Sequence, residues 1–308
     1  MRGYGGKWGV RLAVSPQTPE VNNSSQPGTS APSAPFSARP PSTSQADGRG
    51  GSPAWSATEL SASPHGNAGK QEKVRRMFAA IAESYDLNNR LHSFGRDQAW
   101  RKVAVRQANL VGGETVIDVA CGTGDLTRAF AWAAPRPARV VGIDYTPEML
   151  SVAERVRLKA ARQGVPGRGA PIAYVEGDAQ RLPLGDASCD VVSVAFGIRN
   201  VQEPAAAVAE FFRVLRPGGR LVILEFDTPR LPVIRQINSW YTTWLMPKTA
   251  TLISGDTSGA YSYLPKSVAT FMDSGALSAL LTRSGFADAT RKMLTFGVCV
   301  CHRAVKPR

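Results

Sequence analysis

The chain has 308 residues, of which 43% are hydrophobic and 20% charged, and its formal net charge at pH 7 is +13. No apolar run approaches the roughly 20 residues that a membrane-spanning helix requires, so any membrane contact is expected to be peripheral. The basic balance suits nucleic acid, an anionic membrane face or an acidic substrate, and a generally basic surface explains it equally well.

Residues 1–69 are predicted to form a disordered extension. They are rich in Pro, Ser and Gly, carry few large apolar residues and show neither a helical nor an alternating period. Such a segment cannot bury enough surface to offset the entropy lost on ordering. Its first residues, MRGYGGKWGVRLAVS, are basic and poor in acids, as in organellar transit peptides. One folded domain is therefore predicted over residues 70–308.

From Lys70 onward, helical and strand-like patterns alternate. Apolar spacing predicts helices over 74–86 and roughly 95–109. Five strands are predicted at 114–120, 139–145, 172–178, 190–196 and 220–226, separated by helices that begin near Asp125, Pro147 and Ala205. A last helix over 275–286 precedes ATRKMLTFG and VCVCHRAVK, which are expected to pair as an antiparallel hairpin. This alternation predicts an α/β fold, with a mostly parallel sheet covered by helices on both faces.

The four cysteines have no metal-binding or disulfide pattern. Cys121, Cys189, Cys299 and Cys301 form no CxxC pair, and no histidine cluster stands near them. We therefore predict no metal site and a reducing compartment.

Polar residues follow three successive strands of the predicted sheet. The first strand leads into Cys121-Gly122-Thr123-Gly124, where glycines allow a ligand close to the backbone. Asp144 ends the second strand and can accept hydrogen bonds from ribose hydroxyls, whereas Asp178 and Ala179 end the third, beside an expected adenine. Each carboxylate alone is equally explained as a helix cap or turn residue. Together they favour a cofactor site, although neither GxGxxG nor GxxxxGK[ST] is present.

A cation and an amide follow the fourth strand directly. Arg199 and Asn200 in AFGIRN stand at the carboxyl end of the strand, where open α/β sheets bind ligands. The alternative is that Arg199 forms a surface salt bridge after a turn.

Several blocks of the chain resemble the ubiquinone/menaquinone biosynthesis C-methyltransferase family, within the class I S-adenosylmethionine-dependent methyltransferases. They are RMFAAIAESYDLNNRLHSFGRDQAWR, VIDVACGTGDLT, GIDYTPEML, GDAQRLPL, VAFGIRNVQEPAAAVAEFFRVLRPGGRLVILEF and SGDTSGAYSYLPKSVATF. The end, LTFGVCVCHRAVKP, is nearer to the menaquinone branch. The resemblance implies a Rossmann-like, seven-stranded sheet with an N-terminal helical cap and a C-terminal antiparallel hairpin.

The resemblance also implies chemistry, namely methyl transfer from S-adenosylmethionine to a ring carbon of a polyprenylated quinol. Demethylmenaquinol is the expected acceptor, and the ubiquinone precursor 2-methoxy-6-polyprenyl-1,4-benzoquinol is the alternative. The expected cofactor-binding residues are Asp118, Gly122, Thr123, Gly124, Asp144, Asp178, Ala179 and Ala195. Some family members have Ser at the position of Ala195, so a hydroxyl contact there is absent from this chain.

Catalysis is assigned to Arg199, which is expected to favour the quinol phenolate, and to Asn200, which is expected to hold a ring oxygen or the cofactor. Substrate contacts are expected from Tyr85, Asp86, Tyr241 and Tyr261, and Tyr263 is a further lid candidate. Packing and helix capping explain the ESYD residues equally well. His92 has no expected family role and is interpreted as a core histidine.

One apolar stretch has three interpretations. Trp240, Tyr241, Trp244, Leu245, Met246 and Pro247 can line a polyprenyl tunnel, meet a bilayer or form ordinary core.

Other function classes are weaker. An RNA methyltransferase suits the charge, but its usual substrate motif is absent at the fourth strand. A non-catalytic S-adenosylmethionine-binding module remains open, and a nicotinamide dehydrogenase lacks its fingerprint. The expected location is the cytoplasm, peripheral to the inner membrane, or the mitochondrial matrix if the N terminus is a transit peptide. A homodimer is an expected partner state, and nucleic acid is not an expected partner.

Overall fold

Ordered structure begins before the predicted domain boundary at Lys70. The computed structural model describes residues 54–61, 63–163, 169–254 and 259–308. Helix α1 spans Ala57–Ser61 and a 3₁₀ turn spans Pro64–Gly66, with Trp55 only 3% exposed. The extension was therefore placed too far along the chain, because a buried aromatic ring anchors this segment. Its predicted disorder over 1–53 lies outside the described residues.

Three helices cap the domain ahead of the sheet. They are α2 (Lys70–Ile81), α3 (Tyr85–His92) and α4 (Arg96–Gln107). The helix predicted over 74–86 is thus two helices, and the break places Tyr85 at the first turn of α3. The apolar face of α2 is buried against Trp55 and Tyr263.

A seven-stranded sheet forms the centre of the domain, as predicted. Its strands are β1 (Thr115–Val119), β2 (Arg139–Asp144), β3 (Ile172–Glu176), β4 (Cys189–Ala195), β5 (Leu215–Phe226), β6 (Ala287–Leu294) and β7 (Cys299–Val305). Their order is β3-β2-β1-β4-β5-β7-β6, with β1 to β5 parallel and β7 antiparallel to both its neighbours. The predicted hairpin closes the sheet. The turn predicted at 217–219 lies within the bounds of β5, where the register with β4 shifts.

The remaining helices flank the sheet or cover its carboxyl edge. Those against the sheet are α5 (Asp125–Ala131), α6 (Pro147–Gln163), α7 (Pro204–Val214) and α11 (Ser274–Arg283). Between β5 and α11 come α8 (Pro232–Trp240), a π-helical turn (Tyr241–Leu245), α9 (Met246–Ser254) and α10 (Ala260–Thr270). In the described part of the chain, no helix combines the length and apolarity needed to cross a bilayer.

Strand packing explains where a site can form. Val116 on β1 lies opposite Val140 on β2 and Val191 on β4, and all three are fully buried. Burying each such side chain contributes about 1.5–3 kcal/mol relative to exposure. Because β1 connects to β2 on one side and lies beside β4 on the other, the strand order reverses there. A crevice at this switch point is where open α/β sheets bind ligands.

Candidate active site

The backbone is strained where β1 and β4 end. Ala120 and Phe196 have φ angles of +50° and +58°, values uncommon for residues other than glycine. A side chain at Gly197 would bring its Cβ within 2.5 Å of the Ala120 Cβ, so only glycine lets the two loops approach this closely. Strained residues of this kind concentrate at ligand sites.

A cavity of about 100 Å³ lies at these strand ends. Its lining includes seven of the predicted site residues: Tyr85, Gly122, Asp144, Asp178, Ala179, Ala195 and Asn200. Thr123 and Asp118 line a smaller adjoining pocket together with Gly122 and Ala195. Gly124 lines neither space; it has a φ of +80° and ends the turn at the start of α5. The structure therefore brings the end residues of β1 to β4 together.

The two carboxylates in the cavity are oriented by the protein itself. Asp144 accepts hydrogen bonds from the backbone N–H groups of Gly122 (2.7 Å) and Thr146 (2.9 Å). Burial raises its pKa, and these amides act in the opposite direction. Asp178 accepts hydrogen bonds from the Gln180 N–H (2.9 Å) and the Gln71 side chain (2.8 Å). The Gln180 side-chain amide also lies 3.2 Å from both Asp178 oxygens, so a ligand amino group would compete with Gln180 for this carboxylate.

Asp118 supports the site from beneath. Its carboxylate is 1% exposed and accepts hydrogen bonds from the hydroxyls of Thr127 (2.6 Å) and Ser193 (2.7 Å). Burial raises its pKa to about 6. Asp118 thus ties β1 to β4 and α5, and its two oxygens are engaged within the protein.

The first turn of α3 closes over the glycine turn. The Thr123 hydroxyl donates to the Asp86 carboxylate at 2.5 Å. Burial raises the pKa of Asp86, and the neighbouring Asp125 adds to the effect. Tyr85 lines the first cavity, the adjoining pocket and a second cavity. Tyr85 and Asp86 of the ESYD motif therefore both lie at the site.

The second cavity, of about 70 Å³, contains Arg199. It shares Phe78, Tyr85 and Phe196 with the first cavity, and Tyr261 and Tyr263 also line it. The rings of Phe196 and Phe226 stack with centroids 4.5 Å apart. The two cavities meet at aromatic side chains, a lining that suits a flat ring.

Arg199 is buried rather than on the surface. It is 4% exposed and donates to Glu225 (2.6 Å), to the Phe196 carbonyl (2.7 Å) and to Ser267 (3.4 Å). The salt-bridge alternative was correct about an ion pair and wrong about its place. Among the described residues Nη2 has no hydrogen-bond acceptor.

Asn200 lies on the other side of the loop. It lines the first cavity, and its side-chain oxygen accepts a hydrogen bond from the Tyr263 hydroxyl at 3.0 Å. Arg199 and Asn200 therefore face different cavities.

Sequence reasoning missed Glu225 and the pair Asp97 and Arg101. Arg101 and Asp97 form an ion pair of 3.2 Å on α4, and both line the second cavity. Signals for both existed. Glu225 is a lone charge in an apolar strand, RLVILEF, and Asp97 and Arg101 stand four residues apart on the helix face of Trp100.

A third cavity, of about 350 Å³, adjoins the second one. The two share Asn89, Ser93, Trp100, Phe226 and Leu264. Tyr241 lines the third cavity, not the first two, and donates to the His92 carbonyl at 3.0 Å. The His92 ring contacts the Asn88 carbonyl and the Thr249 hydroxyl, both at 2.8 Å, which fits a structural role.

The apolar stretch beside this cavity divides between two environments. Tyr241 and Met246 line the cavity, whereas Trp240 and Trp244 are 56% and 52% exposed. The two tryptophans are therefore not ordinary core.

Comparison with known proteins identifies the chain. Residues 67–306 match the model of the ubiE/COQ5 methyltransferase family. The chain belongs to this family. It is 39% identical over 237 residues to the ubiquinone/menaquinone biosynthesis C-methyltransferase UbiE of Geobacter sp. (strain M21), covering 77% of this chain and 97% of the relative. It is 41% identical over 231 residues to the demethylmenaquinone methyltransferase of Thermus thermophilus, covering 75% and 100%.

Solved structures share the fold at low identity. One is a chain of the complex between the Haloferax volcanii Trm112 methyltransferase activator and a methyltransferase, with a TM-score of 0.54, 16% identity, and coverage of 75% of this chain and 98% of that chain. Another is phosphoethanolamine N-methyltransferase 2 of Haemonchus contortus, in complex with phosphomonomethylethanolamine and S-adenosylhomocysteine. Its TM-score is 0.52 at 14% identity, with coverage of 78% and 59%. The predicted family and the Rossmann-like class I methyltransferase fold are thus confirmed.

Proposed function

We propose that this protein transfers a methyl group from S-adenosylmethionine to a ring carbon of a polyprenylated quinol, converting demethylmenaquinol to menaquinol. Family membership and the names of relatives at 39–41% identity support this activity. The observation that carries it is the contact between two cavities. The cavity at the strand ends, which contains Asp144 and Asp178, shares Phe78, Tyr85 and Phe196 with the aromatic cavity, so a methyl donor and a ring acceptor can meet there.

The residues of the first cavity fit S-adenosylmethionine. When bound, this cofactor supplies an electrophilic methyl group. Asp144 would accept hydrogen bonds from ribose hydroxyls, since its carboxylate is already aimed by two backbone amides. Asp178 would accept a hydrogen bond from the adenine amino group. The backbone at Gly122 has a φ of +56° and lines the cavity, which permits close approach of the ligand.

Arg199 would activate the quinol in the second cavity. A free phenol titrates near pH ~10, and its anion makes the ring carbon electron-rich. Because Glu225 pairs with Arg199 at 2.6 Å, the net charge near the ring is small. Arg199 would therefore act through a directed N–H donor, Nη2, to the ring oxygen. Burial raises the pKa of Tyr85, so its phenol stays protonated and can donate to the other ring oxygen.

Asn200 would position rather than activate the ring. Its side-chain oxygen accepts the Tyr263 hydroxyl hydrogen bond, and Tyr263 lines the second cavity. This contact links the cofactor cavity to the aromatic wall around the substrate.

The test is a labelled methyl-transfer assay. Purified protein is incubated with methyl-labelled S-adenosylmethionine and either reduced demethylmenaquinol or the ubiquinol precursor, and the lipid is analysed by mass spectrometry. We expect one label per demethylmenaquinol, on a ring carbon. Label found only in RNA or protein would overturn the proposal.

The ubiquinone precursor is a second candidate acceptor. The Geobacter relative carries both quinones in its name, which favours including this substrate. Methylation of only the benzoquinol would move the protein to the ubiquinone pathway without changing its reaction type.

A further inference from the structure

An unusual number of large apolar side chains is exposed on α8, the π-helical turn and α9. They are Val233 (66%), Ile237 (60%), Trp240 (56%), Trp244 (52%) and Leu252 (85%). Helix α8 has no buried residue at all. On the neighbouring α3 and just after it, Leu87, Leu91 and Phe94 are also exposed, and Phe94 packs against Tyr241 with ring centroids 5.8 Å apart. We refer to these eight side chains as the apolar face. Clusters of this kind mark interaction surfaces.

All charged residues in the segment from residue 228 to the end of α9 are basic. Residues 228–254 contain Arg230, Arg235 and Lys248 and no acidic residue. Lys248 places its ammonium 4.2 Å from the centre of the Trp244 ring. Exposed tryptophans beside cations are typical of helices that lie in the interface of an anionic bilayer.

The same helices line the third cavity from the inside. Arg235, Tyr241, Thr242 and Met246 belong to its lining, while Trp240 and Trp244 point outward. This cavity continues through Phe226 and Leu264 into the cavity that contains Arg199. One segment therefore separates the outside of the protein from a chain of three connected cavities.

We propose that the apolar face docks on an anionic lipid bilayer, so that the third cavity takes up the polyprenyl tail of a substrate directly from the membrane. The docking proposal is supported by the exposed apolar side chains and by the basic residues beside them. Only the assignment of the third cavity to the polyprenyl tail rests on the proposed function. A symmetric contact with a second copy fits less well, because it would set Arg230, Arg235 and Lys248 against the same cations.

Vesicle flotation of the full chain tests docking without any methyl transfer. The vesicles are phosphatidylcholine alone or phosphatidylcholine with phosphatidylglycerol, and the variant is Trp240→Ala/Trp244→Ala. Trp132→Ala is the matched control, because Trp132 is equally exposed (52%) at the far end of α5. We expect binding to the anionic vesicles that weakens with salt, and a loss of about tenfold or more in the double variant only. Unchanged unfolding temperatures exclude misfolding as the cause.

A paired activity assay separates the two proposals. With a water-soluble short-chain quinol, the double variant should match the wild type, whereas with long-chain quinol in vesicles its turnover should fall with its binding. Equal flotation of the double variant and the control would overturn docking. Self-association that the double variant loses, without vesicle binding, would also overturn it and assign the face to a second copy. Normal flotation with no methyl transfer to any quinol would instead remove the proposed function.

Discussion

Arg199 contributes both to the stability of the fold and to the proposed chemistry, and a single substitution does not separate the two contributions. Its guanidinium pairs with Glu225 in a nearly fully buried setting, with both side chains at most 5% exposed, and it stacks over Phe226. Removing one partner of a buried pair leaves an uncompensated charge, which typically costs about 3–5 kcal/mol. A loss of activity in Arg199→Ala would therefore mix folding with chemistry.

A double substitution resolves the role of Arg199. We expect Arg199→Ala to lower the free energy of unfolding by about 3–5 kcal/mol, and Arg199→Gln/Glu225→Gln to recover most of that loss. The double variant should still bind S-adenosylmethionine in calorimetry but should show almost no methyl transfer, because the guanidinium of Arg199 no longer faces the ring. Wild-type turnover in this variant would rule out a catalytic role for Arg199. Loss of cofactor binding with normal turnover at saturation would do the same.

At the scale of elements, the site depends on one buried carboxylate that joins two strands and a helix. Asp118 on β1 accepts hydrogen bonds from Thr127 on α5 and Ser193 on β4. Its pKa is raised from 3.8 to about 6 by burial, so the native state holds a proton more tightly than the unfolded chain does. The free energy of unfolding should therefore fall as the pH rises from 3.8 to about 6.

Urea unfolding between pH 3.5 and 7 checks this linkage. We expect the wild-type free energy of unfolding, relative to that of Asp118→Asn, to decrease by about 3 kcal/mol across the window, since two pKa units correspond to that amount. Asp186→Asn serves as the control, because the Asp186 side chain is 79% exposed. Parallel pH profiles for wild type and Asp118→Asn would mean that Asp118 keeps an ordinary pKa.

At the scale of the whole molecule, the segment before α2 contributes to the site. Trp55 stacks on Tyr263 with ring centroids 5.0 Å apart, and Tyr263 in turn donates to Asn200. The segment thus closes the helical cap over the cavities, although the sequence analysis assigned it to the extension.

Replacing Trp55 measures how much this closure stabilises the domain. Trp55→Ala should lower the free energy of unfolding by about 3–5 kcal/mol, because a large buried ring leaves a cavity. It should also raise the KM for quinol more than it lowers kcat, since Tyr263 loses its packing partner. Trp132→Ala should change stability by less than about 0.5 kcal/mol. A Trp55 variant as stable as this control would show that the segment packs loosely in solution.

Location and assembly stay predictions. The cytoplasmic or mitochondrial setting and the homodimer were expected from the sequence alone, and membrane contact is carried further only by the apolar face.

Local patterns were sufficient for the sheet and for the polar residues that follow its strands. Residue periodicity predicts each strand. The glycine turn at 122–124, Asp144 and Asp178 lie at or just after the ends of strands, and parallel strands bring such ends to one edge of the sheet. The family resemblance added the quinol acceptor. Each strand and the polar residues at its end depend on near neighbours in the chain, which is why the sequence by itself determined them.

Only the tertiary structure decided which polar residues meet across the chain. Arg199 and Glu225 are brought together by the pairing of β4 with β5, and Trp55 meets Tyr263 across more than two hundred residues. The sequence also left open whether the stretch from Trp240 to Pro247 is core, tunnel or surface. Its two sides face a cavity and the solvent, and that division depends on how α9 packs against α3 and α10, which no local pattern encodes.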